Sequence, residues 1–203
     1  MSENSTQNRK EQLIEAAGQL FRQRGYASTS MRDLAAEVGM EAASLYHHIK
    51  SKEEILEHIC FGLATKFEMA INEVNDIYFN AEEKLRTAIK NHVEILTANV
   101  NHSAVFLQEW RNLTEPKLTE FKELRNAYEK ELRIIIKDGV NEDVFEQVDE
   151  KFAALTILST VNWVNEWYNP GGKMNAEQIA SKLSDFILGG LRKKLVTDIN
   201  YKP

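Results

Sequence analysis

The chain has few of the residues that cross-link a fold or interrupt regular structure. Cys60 is the one cysteine among 203 residues, so an intrachain disulfide is excluded. Neither do His, Cys and carboxylates gather at metal-ligand spacing: His47 and His48 diverge on one helix, and His92 and His102 stand ten apart across a break. Three prolines and nine glycines leave long uninterrupted stretches. No period-two alternation persists in them, which points to an all-helical protein. A run of eighteen apolar residues is missing, so no membrane-spanning helix is expected. The opening MSENSTQN lacks an apolar signal core, and with a single cysteine this suits a cytoplasmic protein. There is no glycine-rich phosphate loop. Cys60 with His58 is the only local nucleophile–base pair, and Ile59, Phe61 and Leu63 beside it suit a buried packing residue. Neither an enzyme nor a bound cofactor is expected.

Residues 9–52 carry the densest signals. Leu13, Ala16, Ala17, Leu20 and Phe21 recur at helical spacing and make one apolar face over residues 9–24, closed by Gly25. Ser30 with Asp33 marks a helix start, Leu34, Ala35 and Val38 form its inner side, and Gly39 ends it. A third helix over residues 42–48 turns Leu45 inward. Ser51 with Glu54 opens a longer helix. Two short helices around a glycine turn, with one supporting helix in front, are the layout of a helix-turn-helix, whose last helix enters a DNA major groove.

The candidate DNA contacts are Ser30, Arg32, Glu41, Ala42, Ala43, Ser44, Tyr46, His47, His48 and Lys52. Small residues at the start of the third helix let backbone approach base edges. Ser44, Tyr46, His48 and Lys52 carry tips that reach phosphates. Glu41 has two readings: accepting from a cytosine amine, or complementing a helix dipole. Seven basic and six acidic residues up to Lys52 balance to +1, so the remainder carries −7 of the total −6. Such a near-neutral head predicts weak non-specific affinity and a modest salt dependence.

This segment resembles the DNA-binding domain of the TetR family of bacterial transcriptional regulators. The likeness rests on Ala16-Ala17, Leu20-Phe21, Gly25-Tyr26, Thr29-Ser30, Leu34-Ala35, Gly39, Leu45-Tyr46 and Ser51-Lys52-Glu53. The family often has Ser and Gly where this chain has Glu41 and Ala43, a departure that bears on the operator and not on the fold. The resemblance implies a DNA-binding domain over residues 1–52 and a ligand-binding and dimerisation domain over 53–203, about nine helices in all.

Later helices are expected over residues 51–78, 80–100, 104–113, 116–138, 154–168 and 175–195. Asn80 and Asn175 serve as caps, Asn101-His102 as a break and Gly139 as a stop. The last two have wide apolar faces, which suits a four-helix interface between two copies. Leu155, Leu158, Ile179, Leu183, Phe186, Ile187 and Leu191 are its candidates, and Gly189-Gly190 permits close approach. Two heads roughly 34 Å apart would read a near-palindromic site in double-stranded DNA.

Phe106, Trp110, Arg111, Arg125, Tyr128, Trp163, Trp167 and Tyr168 are candidate ligand contacts. Aromatics at helical spacing are ordinarily core. An arginine among them needs a carboxylate such as Glu109 or Glu166, or else an anionic ligand. FLQEWRNL, KLTEFKELRNAYEKELRIIIKDGV and NWVNEWYNPGGKMNAEQIASKLSDFILGGL are similar to the C-terminal domain of TetR-family members that sense acyl-CoA thioesters. Those members often have a basic residue in the segment ending in Trp-Tyr, where this chain has Glu166. The resemblance implies a repressor released by a hydrophobic or acyl-CoA-like effector. A drug-like cation, as in efflux regulators, is the alternative that Glu109 and Glu166 leave open.

Overall fold

The computed structural model describes residues 2–76 and 79–193, with side chains from residue 9 onward. Its regular elements are α1 Ser2–Arg24, α2 Met31–Glu37, α3 Ala42–Leu45, α4 Lys52–Asp76, α5 Ala81–Ala98 and α6 Val100–Gln108. A 3-10 turn over Trp110–Asn112 follows, then α7 Lys117–Asn141, α8 Glu150–Asn162, α9 Val164–Trp167 and α10 Ala176–Leu191. The expected helix ends at Tyr78 and Leu195 lie outside the described residues.

Most boundaries follow from capping chemistry legible in the sequence. Ser30 with Asp33, Asn80 with Glu83 and Asn175 with Gln178 form reciprocal capping boxes, each satisfying two orphan N–H groups. Gly25 and Gly39 take φ of 84° and 64°, left-handed values that a Cβ opposes. At Ser51 the box is modified: its hydroxyl accepts from Glu54 N–H, while the Glu54 carboxylate takes Lys50 N–H and the Lys10 ammonium. The Lys10 hydrogen bond holds the Glu54 carboxyl below its usual range.

Four expectations shift. The break near residue 101 falls at Asn99, whose side chain accepts from His102 N–H and starts α6. Gly139 does not stop α7, which runs on to Asn141; its role is room, because a Cβ there would lie 2.2 Å from the Phe145 ring. The polar stretch after α7 is more than a turn. Asp143 (φ 61°) reverses the chain, Phe145 plugs the core, and Asp149 caps α8 at Phe152 N–H, four residues ahead of the expected start. Finally, the apolar stretch to Tyr168 is two helices. At Trp163 the bonding tightens, with Glu166 N–H donating to the Trp163 carbonyl three residues back, and this gives ten helices among the described residues.

The core is continuous from head to body. Leu13, Phe21, Leu34, Leu45 and Ile49 of the head share one hydrophobic cluster with Leu56, Cys60, Leu63 and Phe67 of α4, and with Val105, Phe106 and Phe121 beyond it. A second cluster joins α5, α7, α8 and α10 around Ile89, Ile136, Ala154 and Leu188. So α4 runs from one core into the other and packs on α5, α6 and α7.

Gly139→Ala tests the close approach of α7 to Phe145. Overpacking at this site should cost about 1–3 kcal/mol in chemical denaturation. Adding Phe145→Leu should recover part of that loss, and unchanged stability in the single variant would refute the contact.

Candidate functional site

The head presents α3 outward. Leu45 is buried at its inner side, Ala42 is half-buried against the core, and Glu41, Ala43, Ser44 and His47 are exposed. Tyr46 is 52% exposed, a large ring kept in solvent by its position. The helix is shorter than expected. After Leu45 the bonds change to three-residue spacing, His47 N–H to Ser44 O and His48 N–H to Leu45 O, and the turn delivers buried Ile49. Arg32 on α2 is exposed.

Two candidates have internal duties, and a third is partly withdrawn from solvent. The Ser30 hydroxyl is taken by its capping box. The Lys52 ammonium donates to the Tyr26 carbonyl at 2.7 Å and sits 4.1 Å from the Tyr26 ring centre. It ties the head together instead of reaching outward. His48 is half-buried, and its Nδ1 is sealed from solvent with no hydrogen-bond partner among the described residues. Glu41 starts α3 without a side-chain cap, so its carboxylate stays in solvent.

Polar contacts join the head to the body at both edges. On one, Glu109 accepts from Tyr26 N–H at 3.1 Å, and the Glu53 carboxylate takes both Thr114 N–H and the Thr114 hydroxyl. On the other, Arg22 donates to Asn101 at 3.1 Å and Asn99 to Glu15 at 2.7 Å. Tyr26 lies between the parts. Burial and then the carboxylates of Glu53, Glu57 and Glu109 push its phenol up to about 12.

A cavity of about 60 Å³ lies in the body, walled by five helices. Ala64 and Phe67 come from α4, His92 from α5, Phe106 from α6, Leu124, Arg125 and Tyr128 from α7, and Leu158 and Asn162 from α8. Phe67 is the hub of the aromatic wall, 5.3 Å from Phe106 and 5.5 Å from Tyr128 between ring centres. His92 Nε2 donates to Asn162 Oδ1 and its Nδ1 accepts from the Tyr128 hydroxyl, both at 3.0 Å. Burial lowers the His92 pKa to about 4, so the ring is neutral at physiological pH.

Arg125 is the one charged residue in this wall. Its guanidinium sits 5.1 Å from the Trp110 ring and 5.9 Å from that of Phe106, and Arg111 covers Trp110 at 4.4 Å. Neither arginine pairs with a carboxylate among the described residues. Glu109 is held by Tyr26 and Asn112, and Glu166 by Gln108 at 2.8 Å. Desolvation, with the nearby charge of Arg111 second, lowers the Arg125 pKa. Two neighbouring cations with no counter-charge make this mouth electropositive.

Three sequence candidates thus gather here: Phe106 as ring surface, Arg125 as the cation and Tyr128 as a polar tip, with Trp110 outside the wall against Arg125 and Arg111 on Trp110. Trp163 and Trp167 do not join them. They are 64% and 45% exposed, on the outer side of the junction between α8 and α9. Tyr168 packs instead on the small cluster of Val93, Val164, Ile179 and Ala180. Sequence reading missed His92, Asn162, Phe67 and Leu124. His92 occupies an inward position of the α5 stripe, the one signal that pointed to it.

The dimer candidates also divide. Leu155 and Phe186 are 46% and 79% exposed, and Phe152, unforeseen, is 72% exposed. These rings border an apolar groove of about 280 Å³ between α8 and α10 that also takes in Ile187. Gly189 and Gly190 face open space. Ile179 is spent in the protomer's own core and Leu158 turns into the cavity, so these two leave the exposed face, while Leu191 is buried at the floor of the groove. Leu183 and Ile187 are half-buried against the core. Cys60 is fully buried and its thiol is pushed up to about 12, which leaves no thiolate for catalysis or redox sensing at neutral pH.

Residues 13–59 match the model of bacterial regulatory proteins of the TetR family, and residues 79–191 match a tetracyclin repressor-like C-terminal domain. The chain belongs to the TetR family. It is a DNA-binding transcriptional regulator by descent and not an enzyme. The HTH-type transcriptional repressor KstR2 of Mycolicibacterium smegmatis is 26% identical over 186 residues, 91% of each chain. PfmR, a TetR family regulator from Thermus thermophilus, superposes with a TM-score of 0.80 at 34% identity, over 89% of this chain and 99% of its own. AibR in complex with isovaleryl coenzyme A and operator DNA superposes with a TM-score of 0.77 at 29% identity, over 88% and 97%. These likenesses span head and body together, so this TetR protein joins the two in the same order as its relatives.

Neutral His92 makes the TetR body acid-sensitive. Its native pKa lies below the unfolded value, so between pH 6.5 and about 4 the unfolded chain binds more protons and stability falls as pH drops. From pH 7 to 5 the loss from this group should be on the order of 2 kcal/mol. His92→Gln should flatten the unfolding free energy measured across that window, and an unchanged pH profile would show that the ring titrates normally.

Proposed function

We propose that this regulator is a cytoplasmic homodimeric repressor whose operator is released by an anionic amphiphile of the acyl-CoA type. One observation carries the effector class: Arg125 lines an aromatic cavity with no carboxylate partner, and Arg111 stands beside it. A desolvated cation without a counter-ion costs the fold stability, and a thioester's phosphates or carbonyl would supply what is missing. The resemblance to AibR, seen with isovaleryl coenzyme A, supports the same class. A cationic drug finds nothing to pair with: no carboxylate lines the cavity, and Glu109 and Glu166 are engaged elsewhere.

Size supplies the mechanism. An acyl chain needs far more than 60 Å³, so entry must part the walls. Two of those walls, α4 and α6, are also packed on α1 of the head. The strap 109–114 carries Trp110 and Arg111 in its middle and is tied to Tyr26 at one end and Glu53 at the other. An anion drawing Arg111 and Arg125 together would pull on that strap. Paired heads would then lose the spacing that a near-palindromic duplex requires. A coupling of about 1–3 kcal/mol suffices for a useful switch.

The second copy docks on the face bearing Phe152, Leu155 and Phe186, because so much exposed apolar area on α8 and α10 marks an interface. Phe186→Glu should shift the sedimentation coefficient from dimer to monomer at micromolar concentration and abolish operator binding. Retention of the dimer would move the interface elsewhere.

Fluorescence anisotropy on operator DNA tests the effector. Acyl-CoA thioesters should weaken operator binding about 5–150-fold. Arg125→Gln should bind operator normally, keep or gain thermal stability and lose the response. No response to any thioester tried in the unmodified protein would remove this class. On the head, Tyr46→Ala should weaken operator and random DNA together, by about 3–10-fold. Arg32→Ala should also lower the salt slope by about 1.

A further inference from the structure

The cavity holds polar chemistry that an anion at Arg125 does not use. His92, Tyr128 and Asn162 reach it from α5, α7 and α8 and form a chain of two hydrogen bonds, each 3.0 Å long. The Tyr128 hydroxyl is spent on Nδ1, and Nε2–H is spent on the Asn162 carbonyl oxygen. What is left over is the Asn162 amide nitrogen. Asn162 lines the cavity, and its two N–H donors have no hydrogen-bond partner among the described residues. Around it stand Ala64, Phe67, Phe106, Leu124 and Leu158, which offer no acceptor from their side chains. A saturated chain filling this space would expel water and leave those donors dry, at the cost of a lost hydrogen bond.

We propose that the effector's acyl part carries a hydrogen-bond-accepting oxygen, a ketone or hydroxyl, received by the Asn162 carboxamide, which thereby sets effector specificity. This rests on the reading of the cavity as the effector site. His92 is a positioning residue: by holding Oδ1 it orients the carboxamide and turns the donors to the occupant. Burial keeps its ring neutral, so the orientation persists through physiological pH.

Isothermal titration of the full-length protein with hexanoyl-, octanoyl- and decanoyl-CoA, and with oxo-acyl-CoA counterparts of equal length, provides the test. At least one oxo member should bind about tenfold tighter than its saturated partner, since a site built around a polar group discriminates against the analogue lacking it. Asn162→Asp keeps an acceptor for His92 and removes the donors, so it should erase the preference. Asn162→Leu should do the same, and a cooperative thermal unfolding transition shows that either variant is folded. Equal affinities in the unmodified protein, or a preference surviving both substitutions, overturns the assignment to Asn162 and leaves the effector class standing. Failure of every thioester to bind overturns both.

Discussion

The structure depends on α4 belonging to two cores at once. Leu56 is buried in the head's cluster and Phe67 forms a wall of the cavity, eleven residues further along the same helix. At 1.5 Å per residue that is about 16 Å of continuous hydrogen-bonded backbone. A helix whose inner face is packed into both cores cannot bend locally without opening a void, so displacement at Phe67 is felt at Leu56. Cys60, between them, is small and fully buried, a packing residue on that lever.

Charge is distributed around this lever with the same economy. Acidic side chains that would neutralise the arginines of the body are used as ties: Glu53 and Glu109 hold the strap and the head, Glu54 caps α4, and Glu166 holds Gln108. The basic mouth at Arg125 and Arg111 survives inside a chain with net charge −6 because its potential partners are committed elsewhere. Net charge says little about a site when individual pairings decide the local potential.

The head was readable residue by residue because its signals are local. A capping box, a left-handed glycine and an inward leucine each act within four residues, so Ser30, Gly25, Gly39 and Leu45 behave as their chemistry demands. Body helices were readable in approximate extent for the same reason, though the division at Trp163 was not. Gly139 misled because a glycine that ends a helix and one that admits a neighbouring ring look alike in sequence. Only the return of Phe145 distinguishes them. Trp163 and Trp167 misled because aromatic spacing says that two rings share a face but not which way it points. Here it points to solvent.

Sequence alone determined the helix starts, the glycine turns and the small head with its outward third helix, all set by interactions between near neighbours. Tertiary structure decided whether Lys52 faces DNA or Tyr26, whether Leu158 faces a second copy or a cavity, and whether any carboxylate neutralises Arg125. It also brought His92 to Tyr128 and Asn162, residues 36 and 70 positions away. The reason is physical: burial and charge pairing depend on which helices meet, and that is a property of the packed whole.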